Sequence, residues 1–264
     1  MEVGFKMIKI FGVGNSFTED AFTWLSEIAA ADGIEIMTVV PFVGGCTFKR
    51  HLDKIKSDSN EYDLIVNGKN TGKKLTFDEA LAMEDWDFVT FNQGSVQSGR
   101  PISYFPYLNE LKEHILKHSP NVKPYIYQTW AYETDATHPY YYVYNNSQKE
   151  MWIRARDCYH FASRLIDAPI IPVGEVIQYL RENVAEFDYQ NGGMSLNRDG
   201  YHLTEIYGRY VAGLTFYFSL FKNDILKNSF IPEHNGVKAD PIIIEKIKNA
   251  VYEVVNNRLD DDDD

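Results

Sequence analysis

The sequence predicts an α/β fold, a three-layer sandwich in which helices cover both faces of a central, mainly parallel five-stranded sheet. Three observations carry that expectation. Five short apolar runs, at residues 7–13, 34–42, 86–91, 122–127 and 168–173, are bounded by turn residues. Segments of helical periodicity alternate with them, and parallel neighbours need such crossovers. No internal repeat or linker divides the 264 residues, a length that suffices for one large core. Residues 1–264 therefore read as a single domain, with its core at about 7–222, a C-terminal helix at about 241–255 and an acidic tail at 260–264.

The elements follow in order. MIKIFGV (7–13) is a buried strand that runs into Gly12, Gly14 and Asn15, a tight turn. Ala21, Trp24, Leu25, Ile28 and Ala29 then fall on one helical face, and Gly33 stops the pattern. IEIMTVVPF (34–42) is the second strand, closed by Gly44 and Gly45, with a short helix at 48–55. Segments 62–66 and 73–77 flank the Asn67-Gly68 and Thr71-Gly72 turns and read as a small exposed hairpin insertion near 62–77. WDFVTF (86–91) is the third core strand, 103–118 a long amphipathic helix and VKPYIY (122–127) the fourth strand. A Tyr-rich connection between Trp130 and Asn146 leads to a helix at about 147–166. APIIPV (168–173) is the fifth strand, 174–184 a helix, and an Asn- and Gly-rich loop runs on to Arg198. Helices at about 203–221 and 241–255 close the chain.

Composition excludes several functions. The 38 acidic against 26 basic residues give a charge of −12, a poor match for nucleic acid, which needs clustered Lys and Arg. Five of the acids form the terminal run 260–264, so the body carries 33 against 26, or −7, and the run reads as a solvated tail. With 44% apolar and 14% aromatic residues the chain is not disordered. Cys46 and Cys158 make no disulfide framework or metal spacing. No apolar stretch reaches 18 residues, so no membrane span is expected. Residues 1–9 lack the features of a secretory signal, which fits a cytoplasmic protein or a mature exported form.

Parallel sheets place their sites at the carboxyl ends of strands. The first such loop reads Gly12-Val13-Gly14-Asn15-Ser16-Phe17-Thr18-Glu19-Asp20. A Ser at the mouth of a strand-to-helix turn is placed to be a nucleophile, beside a helix N-terminus that favours negative charge. Two other readings compete: Ser16 and Glu19 fit a capping box, and Gly12-x-Gly14 hints at a dinucleotide turn, although Phe17 stands where its third glycine belongs. A nucleophilic Ser needs a base, and the base an orienting acid. Asp199-Gly200-Tyr201-His202, just before an apolar helix, offers both three residues apart.

Taken together, Gly14-Asn15-Ser16-Phe17-Thr18, Gly44-Gly45-Cys46-Thr47, Asn92-Gln93-Gly94-Ser95 and Asp199-Gly200-Tyr201-His202 occur in the order of the four blocks of SGNH (GDSL-like) hydrolases. The chain resembles that superfamily over about 7–222. Its wording is most similar to a bacterial branch, described as a domain of unknown function, that opens with Gly-Asn-Ser-Phe-Thr. The resemblance implies a flavodoxin-like fold, Ser16 as nucleophile, His202 as general base and Asp199 as its orienting acid. It also implies an oxyanion hole from the N–H groups of Ser16 and Gly45, with Gly44 as the neighbouring candidate. The third block departs from the usual Gly-x-Asn-Asp. Its Gln-Gly pair is similar to that of sialate and carbohydrate acetylesterases, which favours Gln93 over Asn92 as the side-chain donor.

Seven of the 18 tyrosines lie between 125 and 144, joined by Trp130 and His138. Such rings either stack on sugar faces or pack a long loop. Asn15, Gln128, Trp130 and Tyr132 are the candidates for substrate contact. His114 and His118 share a helix face at i, i+4 but lack the Glu of His-Glu-x-x-His, so they read as a solvated face, and neither metal nor cofactor is expected. The expected activity is a serine esterase acting on O-acyl groups, O-acetyl above all, of a small-molecule or glycan ester. A lipid or thioester acyl hydrolase on the same triad, or a non-catalytic carbohydrate-binding protein, are the alternatives.

Overall fold

The structure, a computed structural model, describes residues 7–262; residues 1–6 and 263–264 and the side chains of 258–262 lie outside the described residues, and with them the side chains of the acidic tail at 260–264. Strands β1 (Ile8–Val13), β2 (Ile36–Phe42), β3 (Tyr62–Val66), β4 (Lys69–Leu75), β5 (Phe88–Phe91), β6 (Lys123–Tyr127) and β7 (Ile170–Ile171) form one sheet in the order β4-β3-β2-β1-β5-β6-β7. The five strands expected from the apolar runs are those that pair in parallel, β2 with β1, β1 with β5, β5 with β6 and β6 with β7. The chain leaves β1 toward β2 on one side and returns to β5 on the other. That reversal opens a crevice at the carboxyl ends of β1 and β5.

Alternation along the strands sends side chains to two cores. Ile10 joins one with Phe22, Leu214 and Phe216; Phe11 joins the other with Val89, Leu108 and Ile115. Helices α1 (Ser16–Phe22), α2 (Leu25–Ala31), α7 (Val173–Asn183), α8 (Tyr207–Phe221) and α9 (Pro241–Asp262) pack over the first core. Helices α3 (Phe48–Lys56), α4 (Phe77–Leu81), α5 (Tyr107–His118) and α6 (Gln148–Ile166) cover the second. Because α8 is covered on nearly every side, it is apolar all round, and each fully buried Leu or Phe on it contributes about 1.5–3 kcal/mol.

The hairpin near 62–77 extends the sheet. Its Asn67-Gly68 turn has positive φ at both residues, 46° and 67°, and sends β4 back along β3 from Lys69 instead of from Lys73. β3 pairs antiparallel with β2 and buries Tyr62, Leu64 and Ile65, whereas β4 is exposed at the edge and carries Lys69, Lys73 and Lys74. Phe77 leaves the strand because Thr76 and Glu79 form a capping box that starts α4.

One boundary bears on the site. Residues 197–203 form a tight antiparallel turn, with Arg198 N–H donating to the His202 carbonyl at 2.8 Å and an Asn197–Leu203 bridge. Helix α8 therefore begins at Tyr207, four residues beyond the expected start, and Asp199 to His202 sit at the tip of the turn.

Candidate active site

β1 ends in a turn so close to the end of β5 that only glycine fits at position 14. A Cβ there would lie 1.9 Å from Asn92 Oδ1 and 2.1 Å from Thr18 Oγ1. Asn15 caps α1: its Oδ1 accepts from Phe17 N–H at 3.1 Å, and Thr18 Oγ1 accepts from Asn15 N–H at 3.2 Å. The capping box is thus one residue earlier than the Ser16–Glu19 reading places it. Ser16 is left as the first helical residue with its hydroxyl uncommitted to the cap.

That hydroxyl donates to His202 Nε2 at 2.8 Å, and His202 Nδ1–H donates to Asp199 Oδ2 at 2.7 Å. The other Asp199 oxygen accepts the N–H groups of His202 at 2.7 Å and Tyr201 at 3.1 Å. Partial burial alone pushes the Asp199 carboxyl up, but the bonds from the His202 ring and these two amides outweigh it and hold the group below the usual carboxylate range. A serine, an imidazole and a carboxylate thus form one hydrogen-bonded chain across 186 positions of sequence.

Three buried groups, none of them singled out from the sequence, hold that chain together. Asp20 lies one helical turn beyond Ser16, only 1% exposed. It accepts from Arg198 at 3.0 Å, Arg209 at 2.8 Å and the Leu203 N–H at 2.8 Å, fastening α1 to the turn that carries His202. His51 Nε2–H donates to the Gly14 carbonyl at 2.9 Å while its Nδ1 accepts from Tyr62 at 3.0 Å, which fixes the loop before Ser16. Arg181, on α7, donates to Asn197 Oδ1 at 2.6 Å beneath the turn. A carboxylate set among Phe17, Ala21 and Phe22 was a readable signal for Asp20; His51 on its short helix offered none.

The residues expected to touch substrate are placed differently. Gln93 is fully buried: its Oε1 accepts from Phe48 and Gly94, and its amide donates to the Ser103 carbonyl at 2.8 Å. No donor of that side chain is left for an oxyanion, so the expectation for Gln93 is corrected. Asn92 is bound to Thr18 at 2.5 Å and turns its amide toward Asn15 and the Gln93 carbonyl. Asn15, Gln128, Trp130 and Tyr132 are at most 2% exposed, for a physical reason in each case. Asn15 is the cap, and Gln128 is tied to Glu175. Trp130 stacks on Phe17 at 4.2 Å and donates to the Tyr201 carbonyl, and Tyr132 bonds Ser95 at 2.6 Å. By contrast, the N–H groups of Ser16 and Gly45 meet no acceptor among the described residues, and Gly45, at φ +59°, is exposed. The Gly44 carbonyl accepts from Arg50.

An open cavity of about 420 Å³ borders Gly45 and Ser95. Its walls include Arg100, His138, Tyr140 and Tyr142, the last two 54% and 62% exposed, and no carboxylate lines it. The tyrosine cluster therefore divides: Tyr132, Tyr141 and Tyr144 pack the loop, and Tyr140 and Tyr142 form the rim. His138 Nδ1 accepts from the Tyr140 N–H at 3.2 Å, leaving its hydrogen on Nε2. Burial, reinforced by His202, lowers its pKa and keeps the ring neutral. Neither cysteine competes as nucleophile, because burial pushes Cys46 up to about 12 and Cys158 to about 11.

The fold is similar to that of solved structures of hydrolases and esterases. A Slackia heliotrinireducens protein proposed as an SGNH hydrolase superposes with a TM-score of 0.54 at 23% identity, covering 80% of this chain and 98% of its own. An acetyl xylan esterase, AlAXEase, superposes at 0.52 with 14% identity, covering 81% and 100%. The chain itself belongs to the DUF4886 family, a domain of unknown function whose model matches residues 9–253. A DUF4886 family protein from Bacteroides uniformis ATCC 8492 is 32% identical over 95% of both chains, with a TM-score of 0.85. No curated protein matches the chain.

Two predictions follow from the buried supports. Asp20→Ala strips Arg198 and Arg209 of their shared acceptor and costs about 3–5 kcal/mol, a fall in Tm of roughly 10 °C; a melting curve within 2 °C of wild type contradicts the clamp. His51 is held neutral, chiefly by burial, with its pKa lowered from 6.5 to about 4. The unfolded chain therefore binds the extra proton first as pH falls. The stability from this group is present above 6.5 and is lost toward pH 4, by about 3 kcal/mol. Urea unfolding at pH 7 and pH 4.5 should show a smaller loss in His51→Gln than in wild type.

Proposed function

We infer that the protein is a serine esterase that hydrolyses short O-acyl esters, O-acetyl above all, of a carbohydrate or similar polyhydroxylated alcohol. The observation that carries this reading is the chain from Ser16 Oγ to His202 Nε2 at 2.8 Å and from His202 Nδ1 to Asp199 at 2.7 Å. In the proposed reaction His202 takes the Ser16 proton as Oγ attacks the ester carbonyl. Asp199 stabilises the imidazolium that forms. The oxyanion is bound by the N–H groups of Ser16 and Gly45, each worth about 3 kcal/mol in the transition state. His202 then returns the proton to the leaving alcohol, and water activated by the same imidazole releases the acid from the acyl-enzyme.

The preference for a short acyl group rests on what fills the space behind the serine. Trp130 and Tyr132 pack there against Phe17 and Tyr201, so the wall that a long chain would need to enter is solid. The alcohol half of the substrate is assigned to the cavity beside Gly45, where Tyr140 and Tyr142 offer faces for a sugar and His138 offers a neutral N–H donor to a hydroxyl.

Ser16→Ala and His202→Ala should each lower kcat on 4-nitrophenyl acetate by about 10⁶-fold. Because Asn15 provides the cap, Ser16→Ala should also melt within about 2 °C of wild type. Full turnover by the Ser16→Ala protein, or fluorophosphonate labelling at any other residue, contradicts the assignment. Across a series of acyl esters, kcat/KM should fall at least tenfold from acetyl to octanoyl; a rise would favour a lipid or thioester hydrolase.

A further inference from the structure

Outside the triad, one group of side chains has the makings of a metal centre. Helical spacing puts His114 and His118 on one face of α5, one turn apart, with ring centroids 5.3 Å from each other. The tertiary fold adds a third ligand that the sequence spacing concealed. Asp78, in the first turn of α4, lies with Oδ1 2.6 Å from His114 Nε2. One ligand atom from each of the three residues falls within 4.8 Å of the other two. Among the described residues this is the single grouping of three such side chains. His118 is exposed, as expected of a solvated helix face, while His114 is half-buried against Asp78.

We propose that Asp78, His114 and His118 form a zinc site that clips α4 to α5. Two imidazole nitrogens and one carboxylate oxygen suit Zn²⁺, whereas Mg²⁺ and Ca²⁺ favour all-oxygen shells. Ligand atoms about 2 Å from a tetrahedral ion stand about 3.3 Å apart. The His114–Asp78 pair must open by a fraction of an ångström and His118 must swing inward. Both movements are open to them, since Asp78 is 43% exposed on its side chain and His118 is at the surface. The Thr76–Glu79 capping box pins the first turn of α4, and the Phe77 ring packs 6.1 Å from that of His114. Three protein ligands leave a fourth position to water.

The site lies over the second core, while Ser16 sits on α1 over the first, so zinc acts here on the fold and not on the ester. It joins two helices that cover the second core, and its binding free energy adds to that of folding.

The test uses the whole protein freed of metal by chelation and then titrated with ZnCl₂ by calorimetry. Wild type should bind one equivalent, and its Tm should rise by about 5–10 °C when free Zn²⁺ exceeds Kd a hundredfold. His118→Ala and Asp78→Asn, both at the surface, should keep the metal-free Tm and weaken binding at least tenfold. Co²⁺ in place of zinc should give the intense visible bands of a tetrahedral centre in wild type only. Equal zinc affinity in wild type and His118→Ala, or no Tm shift in wild type at saturating zinc, overturns the proposal.

Discussion

The candidate site depends on a single buried carboxylate. Local geometry delivers Ser16 to the crevice as soon as β1 enters its turn, but His202 arrives from the far end of the chain and has no local reason to meet it. Asp20 supplies that reason, with two guanidinium groups and one backbone amide converging on its oxygens. Removed from water, such a group is costly unless every lone pair is answered, and here the answers come from both sides of the turn that bears the base. Trp130 repeats the connection in apolar form, lying flat on Phe17 while its indole N–H holds the Tyr201 carbonyl. The serine's helix and the histidine's turn are therefore fixed to each other twice, once by charge and once by stacking.

The same economy runs through the loops that follow the other strands. Gln93 joins three segments through one carboxamide, and Tyr144 closes the loop after β5 by accepting from Gly99 and donating to Ser95. These polar groups are inside because the crevice is built from irregular backbone, whose N–H and carbonyl groups need partners that no strand or helix provides. The polar residues near the nucleophile thus mostly serve the scaffold, and the solvent-facing chemistry is left to a few side chains at the rim.

Much of the fold was legible in the sequence because it rests on local signals. The apolar runs give the parallel strands, and the glycines that follow them give the loops. The triad candidates were legible too, since each lies in a short block with its own turn. What was not legible depends on contacts distant in sequence. The pairing of β3 with β2 is set by a register that periodicity does not encode. The fate of Gln93 turned on Ser103, ten residues on in a 3-10 turn, and the burial of Trp130 on a helix more than a hundred positions earlier. Likewise Asp78 stands 36 positions from His114, with nothing in either segment to announce the other.

The lysines along β4 have a consequence for how molecules of this protein meet. An unpaired outer strand offers a row of backbone donors and acceptors to any similar strand that approaches. Here the approaching surface of a second copy would carry the same Lys69 and Lys73, with Lys74 paired to Asp63, so alignment of the two edges sets like charges against each other. In a chain whose net charge is strongly negative, this strip of opposite sign acts as a local bumper. Such a strip disfavours edge-to-edge pairing of two sheets.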